Sequence, residues 1–259
     1  MKYDRQEKIK QLLIDRKQIS CLEICDMFAV SIETVRRDLA SLEKEGVIKR
    51  VYGGAVLIDN SSAPNPIKPW NTRIVMNNLE KVNMAKQMLN YIHDGMTIAL
   101  DSGTTVLEVA RLLNQRKNLS IITNDIHITA ELSRSTDHKI YLIGGSVKKD
   151  DRITTGFLAN EFLKNFSRID AAILTADGFE NGIGDFNVDM AALKTIMIEK
   201  SDKVYAVIDH TKFSIPTLYK VGSMKDLDLV ITGMCAPKEA VAALRQAGVE
   251  VVQVPVESK

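Results

Sequence analysis

The spacing of apolar residues changes once along the chain, near residue 57. Before that point apolar residues recur three or four positions apart, which is typical of short amphipathic helices. Helices are predicted over residues 4–16, about 20–28 and 31–45, the last between an N-cap candidate, Ser31, and a terminating Gly46. The apolar side of the third helix, which is expected to face a small core, comprises Ile32, Val35, Leu39 and Leu42.

Two β-type runs and a proline-rich stretch follow the third helix. VIKRVY and AVLI are separated by Gly53 and Gly54, a two-residue turn that fits a β-hairpin. Three of the six prolines then fall within residues 58–70, and because proline lacks a backbone donor, an extended linker is predicted there. The predicted organisation is an N-terminal domain at 1–57, a linker at 58–72 and a C-terminal domain at 73–259.

Beyond the linker the pattern becomes one of continuous apolar runs that are rich in Val and Ile. They mostly alternate with amphipathic helical segments, for example at 79–92, 104–116, 187–200 and 237–247. Strands that are apolar throughout and alternate with helices are typical of a parallel sheet with both faces covered. The predicted class is α/β, with strands in MTIALD, SIITN, KIYLIGG, IDAAILTAD, KVYAVIDH, DLDLVITG and VEVVQV.

Composition narrows the class of protein. Lys and Arg number 34 against 33 Asp and Glu, so the chain is near neutral, and its 45% hydrophobic content suits a globular protein with a sizeable core. Three cysteines are too few for a disulfide framework, and no apolar stretch reaches the ~20 residues of a membrane helix. The charged start MKYDRQEKIKQ is not a signal peptide. We expect a cytoplasmic protein that makes no contact with a membrane.

The polar side of the third predicted helix carries groups that suit a DNA major groove. A short helix that turns into a second one places the N-terminal residues of the second against base edges. Ser31, Thr34 and Arg37 are the best-placed readers, and an arginine there can bind guanine O6 and N7 together. A small helical interaction module with a solvated charged face is the alternative, since 11 Lys and Arg against 9 Asp and Glu leave residues 1–57 only +2.

Further basic residues extend this predicted surface. Arg36, on the flank of the helix, is expected to reach a backbone phosphate, while Lys49 and Arg50 lie on the hairpin and would contact phosphate or the minor groove as a wing. A zinc site at Cys21 and Cys25 lacks the two further ligands that it needs, so they are interpreted as small core residues. No metal or cofactor is expected.

These residues resemble a known family. Arg5-x-x-x-Ile9, the run Ser31-Ile-Glu-Thr-Val-Arg-Arg-Asp-Leu39 and the later Glu-Gly-Val-Ile-Lys-Arg-Val-Tyr-Gly-Gly-Ala are closely similar to the DeoR family of bacterial transcription regulators. The S-x-x-T-V-R-R-D-L run with an R-x-Y-G-G-A wing is a far more specific signal than a bare helix-turn-helix pattern. The resemblance implies a winged helix-turn-helix that binds operator double-stranded DNA, and it argues against the interaction module.

The segment Asp101-Ser102-Gly103-Thr104-Thr105 joins a predicted strand to a predicted helix. Glycine lets backbone come close, hydroxyls donate, and free amides at a helix start attract negative charge, so the loop is a candidate anion cradle. Asp101 would repel a phosphate, and we assign it either to ligand hydroxyls or to holding the loop. A turn that merely caps a helix is the alternative interpretation.

Other predicted strands end in similar polar groups. Because ligands of open α/β sheets sit beyond the carboxyl ends of the strands, these groups are predicted to converge on one site, although each taken singly is equally a polar turn. Lys212 would supply the positive charge that the acidic groups lack. The segments are Thr123-Asn124-Asp125, Gly144-Gly145, Ala176-Asp177-Gly178 and Asp209-His210-Thr211-Lys212.

The family resemblance extends across this domain through DSGTT, ITND, the glycines after YLI, Gly156, ADG, GDFN and DHTKF. It implies a Rossmann-like sensor domain related to ribose-5-phosphate isomerase and the CoA transferases, with a phosphorylated sugar as effector. It also implies a phosphate loop at Ser102, Gly103, Thr104 and Thr105. The remaining effector contacts that it implies are Asp101, Asn124, Asp177, Asp185, Asn187 and Lys212.

A sugar-phosphate isomerase-like enzyme is the main alternative function. Isomerisation needs a carboxylate placed to move a proton beside a carbonyl. In sequences similar to that isomerase the aspartate runs on into an acidic base, whereas Asp177 is followed here by Gly178 and Phe179, with Glu180 nearby. Neither H-E-x-x-H nor G-x-S-x-G occurs, which argues against hydrolases. A DNA-binding domain has no role in a simple isomerase, so we expect a regulator and not an enzyme.

The expected mechanism is ligand-gated repression of a carbohydrate operon. One winged helix covers little DNA, so a homo-oligomer, either a dimer or a tetramer, is expected to read spaced half-sites. Effector binding would change the spacing of two N-terminal DNA-binding domains. A coupling free energy of about 1–3 kcal/mol between the effector site and the DNA-binding site would alter operator affinity roughly 5–150-fold. Release of DNA by the effector is the family's habit, while some relatives activate instead.

Overall fold

The computed structural model describes residues 2–16, 18–44, 48–51, 53–57, 67–134 and 137–256. The chain divides into two units, Met1–Asn78 and Leu79–Lys259, and each has a hydrophobic core of its own. Most of the predicted linker lies outside the described residues, and at its end Trp70–Arg73 forms a helical turn instead of extended chain. No helix in the described ranges is long and apolar enough to cross a membrane.

The first unit packs three helices against a three-stranded antiparallel sheet of order β1–β3–β2. Its elements are α1 (Lys2–Arg16), β1 (Gln18–Ser20), α2 (Cys21–Phe28), α3 (Ile32–Lys44), β2 (Ile48–Val51), β3 (Gly54–Leu57) and the helical turn α4 (Trp70–Arg73). The Ser20 hydroxyl caps α2 in a capping box with Glu23. The three predicted helices are confirmed, although the predicted stop at Gly46 lies outside the described residues.

The structure corrects the sequence predictions for this unit at three places. The pattern did not predict β1, which pairs with β3. Gly54 pairs with Val51 inside the hairpin and is therefore a strand residue; a Cβ there would lie 2.2 Å from the Ile19 carbonyl oxygen of β1, which explains the need for glycine. Ile32 is exposed, because the core begins one turn further along α3, at Val35. The interpretation of both cysteines as core residues is confirmed, since both pack in or against this core.

The second unit is an α/β domain whose seven-stranded sheet is parallel throughout. Its helices are α5 (Asn78–Met88), α6 (Thr104–Leu112), α7 (Ile126–Leu132), α8 (Phe157–Lys164), α9 (Val188–Lys200) and α10 (Lys238–Gln246). The sheet strands are β4 (Thr97–Leu100), β5 (Ser120–Thr123), β6 (Lys139–Leu142), β9 (Ile169–Leu174), β12 (Ser201–Val207), β14 (Leu229–Gly233) and β15 (Glu250–Val254). The seven apolar runs of the sequence supply these seven strands, and the predicted α/β class is confirmed.

The sheet has its topological switch point between β4 and β9. In the order β15–β14–β12–β9–β4–β5–β6, the chain moves outward from β4 to β6 and then returns to β9 on the other side of β4. Ligands of such sheets bind beyond the carboxyl ends of the strands at this point. Smaller antiparallel strands, which the pattern did not predict, are β7 (Ser146–Lys148), β8 (Ile153–Thr155), β10 (Gly178–Phe179), β11 (Ile183–Asp185) and β13 (Tyr219–Lys220).

Candidate functional site

The N-terminal end of α3 presents the side chains that the sequence assigns to base reading. The Ser31 hydroxyl accepts a hydrogen bond from the Thr34 amide at 3.3 Å and lies 3.0 Å from the Thr34 hydroxyl, so Ser31 is the predicted N-cap. Arg37 is exposed and forms no ion pair with any residue that the structure describes. Ile32 adds an exposed apolar group. Hydroxyls, a guanidinium and an apolar side chain are the groups that contact base edges in a major groove.

The other cations predicted to contact DNA differ in their surroundings. Arg36 is exposed and lies 3.7 Å from the exposed carboxylate of Glu33, while Lys49 is exposed on β2. Arg50 is held by Glu43, because its Nε donates to one carboxylate oxygen at 2.6 Å and its amide donates to the other at 2.9 Å. Hydrogen bonds from the Arg50 amide and guanidinium lower the pKa of Glu43. Arg50 therefore also ties the hairpin to α3.

Asp38 is buried, although the helical pattern places it on the polar flank of α3. Arg5 Nε donates to one of its carboxylate oxygens at 2.6 Å, and Gln6 Nε2 donates to the other at 3.0 Å. Both donors belong to α1, so this carboxylate joins the first helix to the third. Arg5 and Asp38 lie in two separate runs that carry the family resemblance, and no periodicity connects two residues on different helices.

Replacing Arg37 by alanine is expected to weaken operator binding roughly 5–150-fold, since an arginine–guanine contact contributes about 1–3 kcal/mol of discrimination. Binding to random duplex DNA of the same length should fall much less. Fluorescence anisotropy at one fixed salt concentration measures both affinities. Arg36→Ala is the matched control, because loss of a phosphate contact weakens both duplexes alike. Equal losses for Arg37→Ala would show that it contacts phosphate alone.

In the second unit, a buried lysine and three carboxylates meet at the carboxyl ends of β4 and β9. Lys194 Nζ lies 3.1 Å from an oxygen of Asp101 and 2.9 Å from an oxygen of Asp185, and it donates to the Thr175 carbonyl at 3.2 Å. The half-buried Asp177 adds a third negative charge that acts on Lys194. The structure thus brings three of the predicted site residues together around a cation that the sequence analysis missed.

Burial and charge act in opposite directions on this cluster. Burial alone would lower the pKa of Lys194, but the carboxylates of Asp101, Asp185 and Asp177 raise it above its ordinary value, so Lys194 is an ammonium. Burial raises the pKa of Asp101, and the Lys194 charge opposes this only in part. Burial acts in the same sense on Asp185, but Lys194 and the Asn187 amide together lower the pKa of Asp185. The cluster is rich in hydrogen-bond acceptors.

Carboxylates also hold the predicted anion cradle in place. Asp101 accepts the Ser102 amide at 2.7 Å through one oxygen and the Thr175 amide at 3.0 Å through the other. The Gly103 amide donates to Asp125 at 3.1 Å, and its φ of 126° lies in the region that favours glycine. Asp101 therefore holds the loop, one of the two roles open from sequence. The amides of Ser102 and Gly103 are occupied by these two carboxylates.

The start of α6 and Asn124 adjoin this loop. α6 begins at Thr104, and the side chains of Thr104 and Thr105 are buried. Its N-cap residue is Gly103, which offers no side-chain oxygen to the first-turn amides. Asn124 is fully buried and its Nδ2 donates to the Thr154 carbonyl at 2.9 Å, while its Oδ1 has no hydrogen-bond partner among the described residues. A buried acceptor of this kind suits a donor from a ligand or water.

Asn187 and Lys212 occupy less direct positions than predicted. Asn187 caps α9 through its side-chain oxygen, and its own amide donates to Asp185 at 2.8 Å. Lys212 lies in the 3₁₀ turn His210–Lys212 after β12, and no hydrogen bond or ion pair between described residues joins its side chain to the cluster. The positive charge beside the acidic groups is that of Lys194, and a contact between Lys212 and a ligand stays a prediction.

The sequence also carries a signal for Lys194, which differs from the pattern of polar residues after strands. Lys194 lies on α9 at helical spacing from Met190, Ala191 and Met197, which are all buried. A lysine on the apolar side of a helix is rarely buried without an anionic partner. The pattern therefore implied a partner, but the identity of that partner depends on how α9 packs against the sheet.

A second cluster of potential ligands lies beyond β12. Ligating atoms of Glu80, Asp209 and His210 lie within 4.8 Å of one another. Glu80 is already engaged, since one of its oxygens accepts the His210 amide at 2.9 Å and the other lies 2.7 Å from His210 Nδ1. Three groups fall short of the four that a structural zinc site needs, and their mutual hydrogen bonds account for the arrangement.

A helix-turn-helix head with a β-hairpin wing, in one chain with an α/β domain that has a polar site at its switch point, defines the class of ligand-sensing transcription regulators. Residues 5–61 match the family model of the DeoR-like helix-turn-helix domain, and residues 76–234 match that of the DeoR C-terminal sensor domain. The chain belongs to the DeoR family.

Individual relatives agree with this assignment. The chain is 35% identical to the transcriptional repressor AccR of Agrobacterium fabrum, with 88% of each chain covered. It is 32% identical to the glycerol-3-phosphate regulon repressor of Escherichia coli K12, with 93% of this chain and 94% of the relative covered. Among solved structures, ribose 5-phosphate isomerase from Plasmodium falciparum matches at 16% identity and a TM-score of 0.39, with 53% of each chain covered.

Proposed function

We propose that this protein represses a carbohydrate operon and that a phosphorylated sugar bound in its second unit controls its affinity for operator DNA. The names of two relatives support the proposal. One is the glycerol-3-phosphate regulon repressor, and another, 30% identical and from Escherichia coli O157:H7, is a putative aga operon transcriptional repressor. The protein acts in the cytoplasm, where operator DNA is accessible, and as a dimer or tetramer, because one winged helix covers only a half-site.

The observation that carries the proposal is the meeting of two kinds of group at the switch point of the sheet. The N-terminus of α6 attracts a phosphate through its amides and its dipole. The carboxyl groups of Asp177 and Asp185 disfavour a phosphate but accept hydrogen bonds from hydroxyls, while Asp101 holds the loop. A sugar phosphate has an anionic end and a row of hydroxyls, and it therefore matches both halves of the site.

We assign the phosphate to the loop and the sugar to the polar groups around it. The Oδ1 of Asn124, which has no hydrogen-bond partner among the residues that the structure describes, supports a contact with a sugar hydroxyl. Lys212, which follows β12, is assigned to the rim of the site. The phosphate loop comprises Ser102, Gly103, Thr104 and Thr105. The proposed lining of the sugar pocket comprises Asn124, Asp177, Asp185, Asn187, Lys194 and Lys212, and Asp101 holds the adjoining loop.

Operator binding in the presence of a panel of sugar phosphates tests the proposal. The probe is the DNA upstream of the protein's own gene, and affinities are measured at one salt concentration with each phosphorylated sugar and with its free sugar. We expect one phosphorylated sugar to release the protein from operator DNA, and the corresponding free sugar to leave it bound. Specific binding that no panel member alters would remove the effector assignment, and absence of specific binding would remove the repressor assignment.

Replacing Thr104 and Thr105 together by valine is expected to lower the affinity for the phosphorylated effector by at least about tenfold, since two hydroxyls near the phosphate are lost while side-chain shape is kept. Operator affinity without effector should stay the same. Isothermal titration calorimetry with the effector and anisotropy with operator DNA measure the two quantities. Thr129→Val, which lies outside the loop, is the matched control. An unchanged effector affinity in the double variant would contradict the loop assignment.

We infer that the site binds its ligand without catalysing isomerisation. Both oxygens of Asp101 are engaged by backbone amides and one of them also by Lys194, which leaves this carboxylate poorly placed to move a substrate proton. Incubation of the protein with the same panel, followed by chromatography of the sugars, tests the inference. Turnover that disappears in the Asp101→Asn variant would contradict it.

A further inference from the structure

We propose that the surface formed by β6 and α8 is the interface through which two copies of this chain associate. The inference rests on the proposed function in one respect, namely that recognition of operator DNA requires two N-terminal DNA-binding domains. Four large apolar side chains make up this β6–α8 surface. Tyr141 on β6 is 38% exposed, and Phe157, Leu158 and Phe162 on α8 are 75%, 69% and 38% exposed.

The members of the β6–α8 surface form one continuous patch. The rings of Tyr141 and Phe162 each lie against Phe166, with centroid distances of 5.6 and 5.8 Å. Leu158 precedes Phe162 by four residues on α8, so the two side chains share one side of the helix. The patch therefore extends from the edge strand of the sheet along the length of α8.

The edge of the sheet at β6 is partly exposed in the part of the chain that the structure describes. β6 is the last strand of the sheet beyond β5. Consecutive residues of a strand point to opposite faces, so the exposure of both Tyr141 and Leu142 means that neither face is fully covered there. An apolar edge strand promotes uncontrolled association unless something covers it, and a closed symmetric dimer covers it without leaving a free end.

Charge complementarity favours a second copy as the partner. Glu161 and Lys164 lie on α8 beside the apolar residues, with their charged atoms 2.8 Å apart and their side chains 46% and 53% exposed. With one acidic and one basic residue, α8 has no excess of positive charge. Binding to DNA or to an acidic partner would require such an excess. When two copies of α8 pack antiparallel about a two-fold axis, Glu161 of each copy lies near Lys164 of the other.

The size of the patch also fits a dimer. Four such side chains at these exposures present on the order of 500 Å² of apolar surface, which lies at the upper end for a monomer and is a large part of the ~800 Å² that each partner contributes to a standard interface. α8 follows β8 directly in the chain, and β8 contacts a residue of the proposed effector site. Thr154 of β8 donates its amide to the Asn124 carbonyl at 2.9 Å, and Asn124 Nδ2 donates to the Thr154 carbonyl at 2.9 Å.

Sedimentation velocity of the full chain with the substitution Phe157→Glu tests the proposal over a range of concentrations. The wild type should sediment above the 28.8 kDa of one chain, and the variant should dissociate at concentrations at least about 100-fold higher. Leu218→Glu is the matched control, because Leu218 is 71% exposed but lies outside the β6–α8 surface. A monomeric wild type, or a variant with the wild-type mass at every concentration, would overturn the proposal.

A charge exchange tests the antiparallel packing of α8. Glu161→Lys alone should weaken association about tenfold, and the double variant Glu161→Lys/Lys164→Glu should restore it, since opposite charges then face each other again. Circular dichroism confirms that each variant is folded. Association that the single exchange leaves unchanged would overturn this packing. The sedimentation result does not depend on DNA binding. If Phe157→Glu dissociates the oligomer while the wild type does not bind operator DNA, the interface is retained and the proposed function is rejected.

Discussion

Replacing Lys194 by methionine is expected to abolish the response to the effector and to destabilise the second unit by about 3–5 kcal/mol. Lys194 is buried and lies within 3.1 Å of Asp101 and Asp185. Without the ammonium, two buried carboxylates repel each other with no cation between them, and Asp101 no longer holds the Ser102 amide in a fixed place. Urea unfolding followed by circular dichroism measures the stability, and anisotropy with operator and effector measures the response.

The effect of pH distinguishes lost charge from lost packing. A carboxyl that is buried without a cation has a folded-state pKa above its unfolded value, so its penalty is present above that pKa and disappears as the pH falls through it. Burial already raises the pKa of Asp101 in the wild type. The loss of unfolding free energy in Lys194→Met should therefore be smaller near pH ~5 than near neutrality.

The double variant Asp101→Asn/Lys194→Met is the control for this account. It should be more stable than Lys194→Met alone, because an amide replaces one of the two uncompensated carboxylates. Strictly additive losses would show that Asp101 and Lys194 do not act on each other. A loss of unfolding free energy in Lys194→Met that stays constant with pH would likewise contradict the explanation by uncompensated charge.

Replacing Asp38 by alanine is expected to destabilise the first unit by about 2–3 kcal/mol, because hydrogen bonds to a charged group contribute about 1.5–3 kcal/mol and Asp38 accepts them from Arg5 and Gln6. In a domain of this size such a loss lowers the melting temperature by roughly 10–20 °C. Operator affinity should fall steeply as the assay temperature rises, since α3 is then no longer held against α1. Calorimetry of the full chain and anisotropy at two temperatures measure these effects.

Two further substitutions on α3 make this prediction specific. Glu33→Ala removes an exposed carboxylate from the same helix and should change the melting temperature by no more than about 2 °C, because an exposed ion pair contributes little. Asp38→Asn keeps an acceptor for Gln6 but loses the charge that faces Arg5, and it should lie between Asp38→Ala and the wild type. Equal melting temperatures for Glu33→Ala and Asp38→Ala would contradict the role of Asp38.

Local signals predicted most of the secondary structure. Buried parallel strands must be apolar throughout, so the seven strands of the large sheet were visible as apolar runs, and the helices between them were visible through their period. Short strands carry too few residues for such a signal. β1 consists of three residues and forms only by pairing with β3, which is why the sequence did not predict it.

The sequence also identified strand-end residues that meet in the structure. Asp101, Asp177 and Asp185 were named from their positions after strands or by family resemblance, and they do surround one point. Lys212 was assigned the charge that Lys194 carries, because a strand-end rule selects a lysine at a turn and not one within a helix. Ile32 is exposed and Asp38 is buried, against the helical pattern of α3, because the period of one helix does not show which of its residues neighbouring elements cover.

The sequence by itself determined the two kinds of domain, the alternation of strands and helices, and the family, because each depends on residues close together in the chain or on a continuous motif. The tertiary structure alone decided which charges are compensated. Lys194 meets Asp101 across 93 positions of sequence, and Arg5 meets Asp38 across 33, only after packing has brought separate elements together. Burial then removes water from these groups, so their partners, and not their local pattern, determine their role.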